Sequence, residues 1–145
     1  MYFDTAYLAK LYILESDSLP VRELVADAQQ VVCSGHGRVE LAFIFHRKFR
    51  EGAVEEAELG ALMEQVERDT SGGFVRWLPN DMSQLESAAR AALDLPRNCF
   101  LRAADALHLV CARDHGFKTV YSNDKNLLAA ARHFGVRGRN VIGKT

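Results

Sequence analysis

Met1-Tyr2-Phe3-Asp4-Thr5-Ala6-Tyr7-Leu8-Ala9-Lys10-Leu11-Tyr12 opens the chain with a short β-rich run, an acid, and then a stretch patterned as a helix. The same order returns at Thr119-Val120-Tyr121, Asp124 and Asn126-Leu127-Leu128-Ala129-Ala130-Ala131. Strand candidates at Val31 to Cys33, Phe74 to Leu78 and Asn140 to Ile142 are separated from these and from one another by helical stretches. That alternation predicts an α/β fold, a three-layer α/β/α sandwich with a central parallel sheet of four to five strands.

The helices between are signalled by spacing. Leu59, Leu62, Met63 and Val66 fall at i, i+3, i+4 and i+7, with Glu55, Glu56, Glu58 and Glu67 left for the wet side. Ser83-Gln84-Leu85-Glu86 has the form of a capping box, and the helix it opens should end near Asp94, ahead of Pro96. Ser71-Gly72-Gly73 is a short connection, and no repeat or low-complexity tract divides the chain. A single domain over residues 1–145 is expected.

Composition narrows the class. The chain is 48% hydrophobic and 26% charged, as ordinary soluble proteins are, and no apolar run approaches the roughly eighteen residues of a membrane span. Asp4 stands where a secretory signal would carry basic residues, so a cytoplasmic location is expected. Cys33, Cys99 and Cys111 form no ligand spacing and read as buried small residues. A net charge of −1 gives no global attraction to nucleic acid, which leaves local basic clusters: Arg38, His46, Arg47, Lys48 and Arg50, and then Arg137, Arg139 and Lys144.

Four acids carry the functional reading. Asp4 and Asp124 each follow a strand and precede a helix, and ligands of open parallel sheets bind beyond the carboxyl ends of the strands. Glu40, in Val39-Glu40-Leu41-Ala42-Phe43-Ile44-Phe45, and Asp105, in Leu101 to Cys111, lie in segments with little polar surface. A carboxylate there needs a compensating partner. Taken singly, Asp4 and Asp124 fit as helix caps, Glu40 as an acid near a helix N-terminus, and Asp105 as a partner of Arg102 or His108. Taken jointly they meet at one sheet edge, where crowded carboxylates call for a cation. Oxygen ligands without a supporting histidine or cysteine pattern favour Mg2+ or Mn2+ over zinc, in one or two copies. Such ions activate water against a phosphodiester.

With these residues the chain resembles the PIN-domain family, and within it the VapC-type toxins of toxin–antitoxin pairs, over nearly its whole length. Phe3 to Tyr12 matches the family's opening strand, acid and helix, and Glu40, six positions after Ser34, matches its second acid. Leu101-Arg102-Ala103-Ala104-Asp105-Ala106-Leu107-His108-Leu109 resembles its Asp-Ala-Leu-His helix, and Tyr121-Ser122-Asn123-Asp124 its hydroxyl-x-Asp segment. The resemblance implies a metal-dependent endoribonuclease in which Asp4, Glu40, Asp105 and Asp124 are catalytic and hold Mg2+ or Mn2+, directly or through water, with Thr5 and Ser122 supporting them. Ala6 departs from a frequent serine, Ser122 replaces a frequent threonine, and His108 is read as a packing residue or one that supports a ligand, rather than as a ligand itself. An RNA substrate, a cognate antitoxin and a homodimer are the implied partners; Phe43, Ile44, Phe45 and Phe49 suit an interface, while simple core packing accounts for at least half of those side chains. The alternatives are a PIN-like binding module without catalysis, and a phosphoacceptor receiver-like domain, which would carry an acidic pair where Asp4 is followed by Thr5 and Ala6.

Overall fold

Tyr2 and Phe3 are both fully buried although side chains alternate across a strand, so the strand they form must be covered on both faces. The computed structural model describes residues 1–143, and Lys144 of the second basic cluster lies outside them. In chain order the elements are β1 (Tyr2–Phe3), α1 (Thr5–Ala9), α2 (Leu19–Leu24), β2 (Val31–Ser34), α3 (His36–Arg50) and α4 (Glu56–Ser71). They continue with β3 (Val75–Leu78), α5 (Met82–Asp94), α6 (Ala103–Asp114), β4 (Thr119–Tyr121), α7 (Lys125–Ala130), a 3-10 turn (Ala131–Phe134) and β5 (Arg137–Arg139).

The five strands are parallel, in the order β3-β2-β1-β4-β5. Phe3 packs with Tyr7, Leu8, Leu41, Phe45 and Val66 beneath α1 to α4, while Tyr2 packs with Leu109, Val110, Leu127 and Phe134 beneath α5 to α7. This is the expected three-layer α/β/α arrangement. Strand order runs outward from β1 through β2 to β3 and then returns to β4 on β1's other side, so the crevice between the ends of β1 and β4 is the point where the order reverses. Phe3 pairs with Tyr121, and the Asp4 amide donates to the Tyr121 carbonyl at 3.0 Å. The two strand-end acids are thereby held side by side.

Several elements differ from the sequence expectation for identifiable reasons. The last strand is Arg137–Arg139, not Asn140 to Ile142: Asn140 Oδ1 accepts the Ile142 amide at 2.9 Å and turns the chain, and the Val141 amide donates to the Tyr7 hydroxyl at 2.7 Å. Helix α5 is capped by Asp81, whose carboxylate accepts the Gln84 amide at 2.8 Å, so Ser83 lies inside the helix rather than at its cap. Helix α6 is largely enveloped, but α3 buries only Gly37, Leu41 and Phe45, leaving Val39 and Phe43 62% and 69% exposed. Cys33 and Cys111 are buried, whereas Cys99 is partly exposed.

Candidate active site

Asp4 and Asp124 each use one oxygen as a helix cap and turn the other toward the crevice. Asp4 Oδ1 accepts the Tyr7 amide at 2.8 Å, while Oδ2 accepts the Ser122 hydroxyl. Asp124 Oδ1 accepts the Asn126 and Leu127 amides at 2.7 and 3.1 Å, while Oδ2 takes Arg102 Nη2 at 2.7 Å. Ser122 Oγ also accepts the Asp124 amide at 2.9 Å, so one buried hydroxyl ties both acids together. Capping and site-forming are therefore compatible roles here.

Asp105 sits in the first turn of α6, its Oδ2 2.8 Å from Arg102 Nε, and Arg102 spans from it to Asp124. Glu40, one turn into α3, accepts the Thr5 hydroxyl at 2.6 Å and His108 Nε2 at 3.1 Å. All four acids line one open cleft of about 610 Å³, together with Arg47 and Arg102.

The charges are unequal. Burial raises the Asp4 pKa, against the opposing pull of His108 and the Ser122 hydrogen bond. Burial also acts to raise Glu40, but hydrogen bonds from His108 and Thr5 outweigh it and bring the carboxyl down to about 2. For His108 burial favours the neutral ring, yet its contacts with Cys33 and Glu40 and the nearby Asp4 push it up to about 10. Among the described residues, the group of histidine and carboxylate ligand atoms lying within 4.8 Å of one another is His36, Glu40 and His108, not the four acids. Arg102 and the His108 imidazolium thus already neutralise part of the cluster. The acids stand around a cleft with room for a cation that keeps its waters, and their donor set is all oxygen, which fits magnesium or manganese.

His108, buried and bonded to Glu40, is both packed and supporting, as the sequence reading allowed. Two features lay beyond that reading: His36 approaches Glu40 to 3.6 Å, and Arg102 joins two acids rather than one. The i, i+4 spacing of His36 and Glu40 was the available signal for the first.

The Glu40–His108 pair is expected to make a pH-dependent contribution. A raised histidine pKa stabilises fully below about 6.5, and the contribution is lost as pH rises toward about 10. In EDTA, wild type should lose about 1.5–3 kcal/mol relative to His108→Gln across that interval. Urea unfolding of both proteins at several pH values checks this; parallel curves would show that the pair carries no linked charge.

The PIN domain family model matches residues 1–133. The chain belongs to the PIN domain family. That membership sets aside the receiver-like alternative. Among solved structures, this PIN domain is similar to Mycobacterium tuberculosis VapC20, described as a Sarcin-Ricin loop cleaving toxin, with 20% identity and a TM-score of 0.69 over 89% of this chain and 93% of that one. It is also similar to FitAcB from Neisseria gonorrhoeae, at 18% identity and a TM-score of 0.69 over 96% of each chain. VapBC2 from Rickettsia felis, bound to a DNA fragment from its promoter, matches at 13% identity and a TM-score of 0.61 over 97% of this chain and 98% of that one. At these identities the likeness is one of fold. No curated protein sequence matches the chain.

Proposed function

We propose that this PIN domain is a Mg2+- or Mn2+-dependent endoribonuclease and the toxin of a type II toxin–antitoxin pair. The observation that carries the reading is the convergence of Asp4, Glu40, Asp105 and Asp124 on one cleft at the point where strand order reverses. These four would hold the ion directly or through water. Bound there, a divalent cation supplies an activated water and charge stabilisation for phosphodiester hydrolysis. The chain's own residues do the positioning: Ser122 fixes Asp4, Thr5 fixes Glu40, and Arg47 and Arg102 offer positive charge on the cleft wall for the RNA backbone.

The partner proposals rest on the family resemblance together with two surfaces. Val39 and Phe43 project from α3, which borders the cleft, and give an antitoxin apolar surface beside the acids. An apolar groove of about 370 Å³ between α5 and α6, lined by Leu85, Ala88, Leu95 and Leu107, is available to a homodimer. No helix among the described residues is long and apolar enough to cross a membrane, and a cytoplasmic location belongs to the same proposal.

Sequencing RNA ends after induced expression tests the reading. Discrete new 5′ ends with wild type, missing with Asp105→Asn, are expected; identical end profiles would overturn it. One observation favours the inert binding module, namely that Arg102 already occupies two acids. Magnesium calorimetry separates the two, since an inert scaffold shows no heat of binding with either wild type or Asp105→Asn.

A further inference from the structure

His36 and His108 approach Glu40 from different elements, α3 and α6, with ring centroids 4.3 Å apart. Glu40 Oε2 lies 3.6 Å from His36 Nε2 and 3.1 Å from His108 Nε2. In a tetrahedral zinc site, ligand atoms about 2.0–2.1 Å from the ion stand about 3.3 Å from one another, so these separations need only small side-chain shifts.

The hydrogen bonding prepares the same three atoms. Ser34 Oγ donates to Asn80 Oδ1 at 2.8 Å and so accepts the proton of His36 Nδ1, also at 2.8 Å. That tautomer leaves a lone pair on His36 Nε2, 3.6 Å from Glu40 Oε2, and this buried nitrogen makes no hydrogen bond among the described residues. The far nitrogen of His108 is held as well, its Nδ1 3.2 Å from the Tyr2 hydroxyl, which can accept a proton from it. Fixing the far ring nitrogen of each histidine is how metal-binding imidazoles are oriented. The Thr5 hydroxyl, 2.6 Å from Glu40 Oε2 and 3.1 Å from His108 Nε2, stands where a fourth oxygen ligand or a bound water belongs.

We propose that His36 Nε2, the Glu40 carboxylate and His108 Nε2 form a second cation site, for Zn2+ or a metal of similar softness, beside the acidic cleft. Two imidazoles and one carboxylate are a zinc-type donor set, distinct from the oxygen-only set of the three aspartates. The ion must displace the proton through which His108 bonds Glu40, so occupancy follows zinc supply rather than being constitutive. Because Glu40 belongs to both sites, zinc held here withdraws it from the magnesium cluster and inhibits cleavage. That last effect alone rests on the proposed nuclease activity.

Zinc titration of the full chain carrying Cys99→Ser, which removes the partly exposed thiol, tests the site without RNA. One equivalent should bind, at least tenfold more weakly in His36→Gln and in His108→Gln, and as tightly in Asp124→Asn. Magnesium affinity should be the same in His36→Gln as in the parent. Co2+ in place of zinc should give the intense visible bands of a tetrahedral nitrogen–oxygen site, lost in His36→Gln. Equal zinc affinity in His36→Gln and the parent, with both folded by circular dichroism, would overturn the proposal. If RNA cleavage is present, added zinc should suppress it in the parent and not in His36→Gln; equal suppression in both would refute the regulatory role. A protein inert on RNA that still binds zinc through His36 would count against the nuclease reading and leave the metal site standing.

Discussion

Asp105→Asn is expected to lower RNA cleavage by at least about 1000-fold, roughly 4 kcal/mol of transition-state stabilisation, while the protein stays folded. The side chain keeps its shape, and an amide oxygen can still accept the Arg102 Nε hydrogen bond that Asp105 Oδ2 accepts at 2.8 Å. What disappears is one negative charge of the proposed cation site. Asp4→Ala should be equally inactive but is a less clean variant: it removes the cap to Tyr7, worth about 0.5–2 kcal/mol, and leaves the buried Ser122 hydroxyl without its acceptor. Loss of a buried carboxylate, which burial already disfavours in the charged form, offsets part of that cost. Cleavage of a labelled RNA by purified proteins, alongside thermal unfolding, measures both effects. Retention of more than a tenth of wild-type activity in a folded Asp105→Asn protein would remove that acid from the machinery.

Gly37→Val is expected to destabilise the fold by about 3 kcal/mol, the upper part of the usual range for overpacking, and to abolish cleavage with it. A Cβ at Gly37 would lie 2.7 Å from both Cys33 Sγ and Thr5 Oγ1 and 3.4 Å from His108 Cε1. Neither near neighbour yields freely, because Cys33 is on the buried β2 and Thr5 is bonded to Glu40. Relief requires α3 to move away from the sheet, carrying Glu40 with it. Urea denaturation reads the stability, and a variant as stable as wild type would mean that the close approach of α3 is not needed.

The sheet was legible in sequence because β1 and β4 are short apolar runs that end at an acid before a helix, a pattern local to each segment. The placement of Asp4, Glu40, Asp105 and Asp124 on one cleft was legible for a similar reason, since each lies at an element boundary or breaks an apolar pattern. The roles of Arg102 and His36 were not. Arg102 reaches Asp124 across 22 positions, and His36 meets His108 only because α3 and α6 converge at the site. Periodicity describes one element at a time and is silent about such pairings. The misplaced last strand has a related cause: β5 is an exposed edge, Arg-Gly-Arg, held by pairing to β4, so it lacks the apolar signature, whereas Val141 and Ile142 have it and are drawn off by Tyr7 and Asn140.

The divided use of Asp4 and Asp124, one oxygen for a helix and one for the crevice, changes what survival of those residues means in descendants of this chain. A lineage that abandons catalysis still benefits from an acid or amide at both positions, because the turn beneath each would otherwise fray. Glu40 and Asp105 cap no helix in this way, though Glu40 is tied to Thr5 and the buried His108 and Asp105 to the exposed Arg102. Because a pair with an exposed arginine contributes little, erosion at 105 is the clearer mark by which a retired nuclease would be told from a working one, while persistence at 4 and 124 records only that the scaffold is still in use.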